Sequence, residues 1–188
     1  MNKIQGLKKL SEIGFEVYNY TIYHNDSNLN TLNKNKKYLL RRSSKNNIGE
    51  VFLGVEHNLS IDELLKKVIE LNSSFDLIIQ EEKIIDYYGS VSRISDGNYY
   101  ILSIELFDTL ENRISGIPCD RMENHYIDYD IIKREVISNN KFIKYVMFDL
   151  NKIDYCEYQL EFVVSNNCIY YTDFDIPERG KVYAKHFF

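Results

Sequence analysis

Cysteine, proline and tryptophan are scarce in this sequence of 188 residues, which contains three, two and none of them. Cys119, Cys156 and Cys168 show no paired spacing, so we expect a reducing compartment, with neither a disulfide framework nor a zinc site. Two prolines and eight glycines leave little room for flexible linkers, so a single domain is expected. No apolar run approaches the ~18 residues that cross a bilayer, and the start lacks the apolar core of a signal peptide. We therefore expect a cytoplasmic protein that does not contact membranes.

The sequence also lacks the motifs of several common catalytic sites. Its four histidines are scattered, and it contains no HExxH motif, no GxxxxGK[ST] loop and no recognisable triad. A serine or cysteine hydrolase is therefore not expected.

Charge is unevenly distributed along the chain. The net charge of −5 argues against a nucleic-acid partner. Residues 1–45 contain nine Lys or Arg against three acids, a balance of +6, which leaves −11 for the remainder. This asymmetry indicates either a solvated basic loop arising by chance, or a basic N-terminal part that faces phosphate and an acidic remainder that faces a metal.

Hydrophobic periodicity predicts an α+β fold. Ile4, Leu7, Leu10 and Ile13 have helical spacing over residues 3–13, and Ser60 with Glu63 forms a capping box that opens a second helix. Residues 108–127 are expected to be irregular, and a short helix is predicted over 129–138. Strands are predicted at 15–23, 38–43, 76–80, 84–94, 98–107, 158–164 and 168–174, the last two forming a hairpin around 165–167.

Two groups of residues are candidates for binding phosphate. Arg41, Arg42, Ser43 and Ser44 end a predicted strand, and guanidinium and hydroxyl groups are strong phosphate donors. A solvated basic turn is the alternative for this group. Lys3, in the first turn of the first helix, could reach a phosphate or be an ordinary terminal lysine.

Glu161 and Asp173 are the candidate metal ligands. With a turn near residue 166, paired positions of the hairpin sum to 333 or 334, so these carboxylates are expected almost opposite each other. Two such carboxylates repel unless a cation lies between them, and Mg²⁺ accepts one or two carboxylates together with phosphate oxygens. The alternative is that one of them points to solvent.

Taken in order, these segments resemble the ATP-grasp nucleotide-binding domain of the phosphoenolpyruvate synthase and pyruvate phosphate dikinase family. The segments that carry the resemblance are 2–10, the Arg42-Ser43-Ser44 motif, 49–55, 79–84, 89–91, 160–164 and 171–175. The family's leading glycines are missing here, and Asp175 stands where the family has an arginine, which reverses a charge.

The resemblance implies a role for each candidate residue. Lys3, Arg42 and Ser43 would bind the ATP phosphates, and Lys3 and Arg42 would also act in catalysis. Gln80, Glu81 and Glu82 would form the hinge whose backbone meets adenine. Arg93 would be a further phosphate contact, and Glu161 and Asp173 would hold Mg²⁺.

The implied fold is ATP-grasp-like, with mainly antiparallel sheets and a few flanking helices in two lobes, approximately 1–78 and 79–188. ATP would lie between a basic N-terminal lobe and an acidic C-terminal lobe, and phosphate would pass to a partner-borne group, a small carboxylate or water. One alternative is a catalytically inactive nucleotide-binding or regulatory module, since a fold does not guarantee its chemistry. Another is an unrelated α+β interaction protein.

Overall fold

The computed structural model describes residues 1–24, 26–45, 54–96, 99–127, 139–155 and 157–177. Contacts within the chain divide it into unit 1, Met1–Lys8 with Tyr18–Ile84, and unit 2, Lys9–Val17 with Ile85–Phe188. The division falls inside the first helix, α1 (Lys3–Ile13), whose bounds match the sequence prediction. The lobes expected at 1–78 and 79–188 stay a prediction.

Unit 1 is built on a four-stranded antiparallel sheet with a helix against one face. The strands are β1 (Thr21–Ile22), β2 (Tyr38–Ser44), β3 (Val55–Leu59) and β4 (Phe75–Glu81), in the order β1-β4-β2-β3. Helix α2 (Ile61–Leu71) packs Leu64 and Val68 against Leu40, Leu77 and Ile79 of the sheet. The alternation of β2 and β4 therefore gives the sheet one face toward α2 and one face away from it.

The start of α2 confirms the predicted capping box. The Ser60 side chain accepts from the backbone N–H of Glu63, and the Glu63 carboxylate accepts from the Ser60 N–H at 2.8 Å. Both ends of the box satisfy backbone donors that the first turn would otherwise expose.

Two segments between α1 and β2 differ from the sequence prediction. The strand predicted over 15–23 is limited to Thr21–Ile22 and a single bridge at Val17. The Asn- and Lys-rich segment that follows, residues 25–37, is expected from its composition to be an exposed loop, and it contains a 3₁₀ helix, Asp26–Thr31. Leu29 of that helix is buried with Tyr38 and Leu59, so tertiary packing orders a segment whose composition is typical of a loop.

Unit 2 is built on a five-stranded antiparallel sheet in the order β7-β6-β5-β8-β9. Its strands are β5 (Tyr87–Asp96), β6 (Tyr99–Phe107), β7 (Asp120–Ile127), β8 (Tyr158–Ser165) and β9 (Cys168–Asp175), and its helices are α3 (Leu110–Ile114) and α4 (Lys141–Leu150). With two antiparallel sheets and few helices, the molecule confirms the predicted α+β class.

One face of the unit 2 sheet is apolar and packs against α4. Val91, Ile104, Leu160 and Phe174 lie on this face, in the same cluster as Val146 of the helix. Because side chains alternate along each strand, the intervening residues lie on the opposite face, which we call the polar face.

The prediction that residues 108–127 are irregular is wrong. Thr109 caps α3 by accepting from the Asn112 N–H at 3.0 Å, and β7 follows with Met122 in the apolar cluster. Asp120 and Asn124 occupy the same phase of the strand as Met122, so polar residues interrupt the apolar pattern in the sequence. The short helix predicted over 129–138 lies outside the described residues.

The final hairpin confirms its prediction. Asn166 and Asn167, with φ of 51° and 63°, turn β8 directly into β9. Positive φ at both central residues matches the right-handed twist of the flanking strands.

Among the residues that the structure describes, no helix has the length and apolarity needed to span a bilayer.

Candidate functional site

Glu161 and Asp173 are direct cross-strand partners on the polar face of unit 2. The ladder pairs Gln159 with Asp175 and Glu161 with Asp173, then shifts by one residue so that Phe162 pairs with Tyr171. The shift is a β-bulge, in which Thr172 is the extra residue, and bulges often lie next to functional sites. The predicted proximity of the two carboxylates is thereby confirmed, and both side chains are partly exposed.

Each carboxylate has a partner that the sequence did not indicate. Arg113 of α3 places Nη2 2.5 Å from Oε1 of Glu161, with 24% of the arginine side chain and 39% of the glutamate side chain exposed. Oδ1 of Asp173 accepts from the backbone N–H of Phe174 at 3.0 Å. Glu161 therefore carries a cationic counter-ion in this structure, supplied from a segment that sequence reasoning treated as irregular.

The two carboxylates belong to two parallel rows of polar residues that cross the polar face. The first row is Arg121, Glu105, Ser90, Glu161 and Asp173, and the second is Glu123, Ser103, Ser92, Gln159 and Asp175. Directly opposed residues in an antiparallel sheet share a face and contact one another. The polar phase of the alternation in β5, β6 and β7 is the sequence signal that could have revealed these rows.

Glu105 of the first row is more enclosed than Glu161, with 15% of its side chain exposed. Arg121 forms an ion pair with one carboxylate oxygen, and the Ser90 hydroxyl is 3.3 Å from the other. In this pair and in the Arg113–Glu161 pair, an arginine compensates a carboxylate of the polar face.

Arg93 is separated from the metal-ligand candidates by the sheet itself. It pairs with Leu102 and Tyr158, both buried on the apolar face, and its guanidinium lies 5.3 Å from the ring centre of Tyr100. Arg93 is three positions from Ser90, an odd number, so it takes the opposite face. The structure thus does not bring Arg93 to Glu161 and Asp173.

In unit 1, Arg42 lies on the face of the sheet that α2 covers. Its Nη2 is 2.5 Å from Oε1 of Glu56, which Lys67 of α2 also approaches at 3.7 Å. The guanidinium is 5.9 Å from the ring centre of Phe75. Arg42 therefore takes part in an ion pair and a ring contact within unit 1.

Ser43, the neighbour of Arg42, lies on the opposite face. It pairs with Asp76, and Arg41 and Leu39 on the same face pair with Ile78 and Gln80. Arg41, Ser43 and Gln80 are all buried. The structure therefore groups Ser43 with Gln80 and with Arg41, an arginine that the family resemblance passed over, and separates Ser43 from Arg42.

The predicted adenine hinge is held firmly within unit 1. Nε2 of Gln80 donates to the Tyr18 carbonyl at 3.3 Å, and the Tyr18 hydroxyl donates to the Glu81 carbonyl at 2.7 Å. The Glu82 N–H donates to the Lys37 carbonyl at 2.8 Å. These contacts fix the backbone of residues 80–82, the property that a template for a flat base requires.

The acidic side chains of the hinge are also paired. Glu81 is 2.9 Å from Lys36, and this hydrogen bond raises the pKa of the lysine. The Glu82 carboxylate contacts His57 Nδ1 and the Asn58 N–H, each at 3.0 Å. The side chains of Glu81 and Glu82 thus point into contacts within unit 1, where the Glu81 carbonyl and the Glu82 N–H are hydrogen-bonded as well.

Lys3 is the first residue of α1, in the first turn as predicted, and is half-buried. It belongs to unit 1 with Arg42, Ser43 and Gln80, whereas Arg93, Glu161 and Asp173 belong to unit 2. The convergence of these residues on one triphosphate stays a prediction.

The donor set on the polar face fits one class of metal. Within the described residues, no three His, Cys, Asp or Glu side chains form a ready metal cage. Two opposed carboxylates suit Mg²⁺, which commonly takes one or two protein carboxylates and completes its shell with phosphate oxygens and water.

Comparisons with solved structures identify proteins of similar architecture. N5-carboxyaminoimidazole synthetase from Staphylococcus aureus aligns with 95% of this chain and 44% of its own, at 14% identity and a TM-score of 0.55. D-alanine–D-alanine ligase from Helicobacter pylori aligns over 93% of this chain and 53% of its own, at 14% identity and a TM-score of 0.60. The chain thus spans about half the length of these two enzymes.

A third similar structure, Ca. Korarchaeum cryptofilum ACD1 in complex with coenzyme A, aligns over 93% of this chain and 91% of its own, at 13% identity and a TM-score of 0.62. No protein-family model and no curated protein sequence matches the chain. Sequence identity this low supports a conclusion about fold alone. The similarity of the synthetase and the ligase agrees with the α+β architecture of the two units. The chain has the ATP-grasp fold.

Proposed function

We propose that this chain binds ATP together with Mg²⁺ and serves ATP-dependent activation of an acceptor. The observation that carries the proposal is the pairing of Glu161 with Asp173 at the bulge on the polar face. Two negative charges held opposite each other in a sheet are unfavourable unless a cation binds them or the protein compensates them. Mg²⁺ supplies, when bound, the positive charge that neutralises phosphate oxygens.

Glu161 and Asp173 would hold the metal in this proposal, with Asp175 beside them on the same face. Asp175 lies two residues beyond Asp173 and pairs with Gln159. A side chain two positions along a strand stays on the same face, so a third carboxylate is within one strand repeat of the pair. Its negative charge, unexpected for the family suggested by the sequence, suits a neighbour of a cation.

The residues of unit 1 enter the proposal as candidate nucleotide ligands. The backbone of residues 80–82 would contact adenine, and Lys3, Arg42 and Ser43 are the predicted phosphate ligands. Arg41 joins this set because it shares a buried face with Ser43 and Gln80. Arginine binds phosphate through two parallel hydrogen bonds, so either arginine has suitable chemistry.

The similar structures favour a ligase-type reaction over phosphotransfer of the phosphoenolpyruvate synthase type. Two of them are N5-carboxyaminoimidazole synthetases determined with ADP, and a D-alanine–D-alanine ligase from Bacillus anthracis is complexed with ATP. We infer that an acceptor, a small carboxylate or a group on a partner protein, is activated by ATP. Rate enhancement would come from positioning and charge stabilisation.

Isothermal titration calorimetry with ATP, with and without Mg²⁺, tests the proposal. We expect Mg²⁺-dependent binding, and loss of the Mg²⁺ dependence in the double variant Glu161→Gln, Asp173→Asn. The matched control is the double variant Glu12→Gln, Glu70→Gln, which removes the same charge from exposed helix positions. Unchanged Mg²⁺ dependence in the first variant would rule out the metal site, and absence of nucleotide binding would rule out the function.

A catalytically inactive nucleotide-binding module is the second candidate. The Arg113–Glu161 ion pair favours it, because a protein arginine already compensates one of the two carboxylates. The two candidates differ in turnover. Binding of ATP with no release of phosphate or ADP, in the presence of varied carboxylate acceptors, would support the inactive module.

A further inference from the structure

Arg113 occupies the position of a counter-ion at the carboxylate pair. Its Nη2 is 2.5 Å from Oε1 of Glu161, the residue whose cross-strand partner is Asp173. The ion pair is partly exposed, with 24% and 39% of the two side chains accessible. A guanidinium held by an exposed pair can leave at small cost, since such pairs contribute little net stability.

The helix that carries Arg113 is weakly anchored. Helix α3 has five residues, and none of them is buried. Ile114 is 74% exposed, and Ile117 in the following loop is 61% exposed. The helix is capped by Thr109 and ends at Ile114, with Gly116 two residues later at a φ of +67°. A short segment with little buried apolar area can shift at low cost compared with the sheet beneath it.

We propose that Arg113 competes with the metal for Glu161 and, once displaced, binds a phosphate of the nucleotide. This inference rests on the proposed function. One cation neutralises Glu161 in each state, the guanidinium without metal and Mg²⁺ with it, so the carboxylate pair always has a counter-ion. A guanidinium released beside a metal-bound triphosphate has phosphate oxygens within reach, which it binds in bidentate geometry.

The proposal predicts effects of opposite sign for metal alone and for metal with nucleotide. Replacing Arg113 with glutamine removes the competitor, so Mn²⁺ in the absence of nucleotide should bind about two- to fivefold more tightly, the range an exposed ion pair allows. The same variant loses the phosphate contact, so ATP in saturating Mg²⁺ should bind at least about threefold more weakly. A purely structural role for Arg113 gives no reason for opposite signs.

Titration of Mn²⁺ by electron paramagnetic resonance, followed by calorimetry of ATP with Mg²⁺, measures both effects. Arg121→Gln is the control, because Arg121 pairs with Glu105 and lies three strand spacings, about 14 Å, from Glu161 in the same row. That distance exceeds the Debye length of about 8 Å at 0.15 M salt, so the control should change neither affinity appreciably. Arg113→Lys keeps the charge but not the planar fork, and should fall between wild type and Arg113→Gln in both titrations.

The outcomes separate this inference from the proposed function. If the wild-type chain binds neither Mn²⁺ nor ATP, both are overturned. If the wild type binds them and Arg113→Gln leaves Mn²⁺ affinity unchanged or lowers it, the competition is overturned while the proposed function stands. If both affinities rise together, Arg113 makes no phosphate contact and the inference fails. If Arg121→Gln gives the same pattern as Arg113→Gln, Arg113 acts only as a diffuse positive charge and the inference fails as well.

Discussion

The ring of Phe162 occupies the space above Gly89 in the neighbouring strand of unit 2. The two residues pair directly between β5 and β8, and a Cβ on residue 89 would overlap the ring. Phe162 is fully buried in the cluster beneath α4. Gly89 is therefore required for the packing of the strand that carries Glu161.

Gly89→Ala should lower the free energy of unfolding by about 1–3 kcal/mol, because the added methyl must displace a ring in a packed core. Urea unfolding measures the change. Gly89→Ala should cost less stability in a Phe162→Leu background than in the wild type, because the smaller side chain leaves room for the methyl group. The control Ser92→Ala, on the polar face of the same strand, should change stability by less than about 0.5 kcal/mol. Additive effects of the two core substitutions would contradict the contact.

Asp173→Asn should raise the stability of the metal-free protein. The substitution removes one of two opposed negative charges, and the asparagine side-chain oxygen can still accept from the Phe174 N–H. Relief of cross-strand repulsion is worth about 0.5 kcal/mol. Urea unfolding in EDTA should show this gain, and adding Mg²⁺ with ATP should stabilise wild type more than the variant. A loss of stability in EDTA would mean that the carboxylates are already fully compensated.

Tyr171 should make stability fall at high pH. Burial, with Asp149 adding to it, raises the pKa of the Tyr171 phenol, which donates to Oδ2 of Asp149 at 2.8 Å. The unfolded phenol loses its proton near pH ~10, so above that pH the unfolded state binds fewer protons and the free energy of unfolding decreases.

The variant Tyr171→Phe tests this assignment by urea unfolding between pH 8 and 11. It should be less stable than wild type at pH 8, because the Asp149 hydrogen bond is lost, and its stability should decline less steeply above pH 10. The difference in slope should approach one proton. Parallel curves for the two proteins would show that other groups cause the decline.

Ser60→Ala should destabilise α2 by about 1 kcal/mol at neutral pH, because the helix loses its N-cap. Hydrogen bonds from the Ser60 side chain and backbone lower the pKa of Glu63, so the ionised carboxylate favours the folded state. A lowered folded pKa gives stability that is present above the unfolded pKa and lost as pH falls through the folded value. The difference between Ser60→Ala and wild type should therefore shrink below pH ~4, as chemical denaturation at pH 7 and pH 3 would reveal.

Arg42 and Glu56 should show energetic coupling in a double-mutant cycle. Their 2.5 Å ion pair is partly buried, with 25% and 28% of the side chains exposed. We expect Arg42→Gln and Glu56→Gln to be non-additive by about 0.5–1 kcal/mol in urea unfolding. If Arg42 also binds phosphate, as the sequence predicts, Arg42→Gln will weaken ATP binding while Glu56→Gln does not. Equal ATP affinities for both variants would assign Arg42 to stability alone.

Features that depend on short-range chemistry could be predicted from sequence. The Ser60 box and the Asn166–Asn167 turn involve residues within a few positions of each other, so their geometry follows from local hydrogen bonds and allowed φ. This turn fixes the register of the hairpin, so the pairing of Glu161 with Asp173 was predicted correctly.

The positions of the arginines could not be predicted from local sequence. A family pattern selected Arg42 and Arg93. Arg42 lies on the face of its sheet opposite to Ser43 and Gln80, and Arg93 lies on the face opposite to Glu161 and Asp173. Arg113 and Arg121 come from residues 108–127, which the sequence predicted to be irregular, and long-range pairing brings them to Glu161 and Glu105.

The sequence by itself determined the α+β class, the first helix, the capped second helix and the hairpin with its two opposed acids, because each depends on periodicity or on contacts between near neighbours. Only the tertiary structure decided the order of the strands, the faces on which Arg42 and Arg93 lie, and the choice of Arg113 as the counter-ion of Glu161. Those outcomes depend on which distant strands pair and in what register, and a shift of one residue in register transfers every side chain of a strand to the other face.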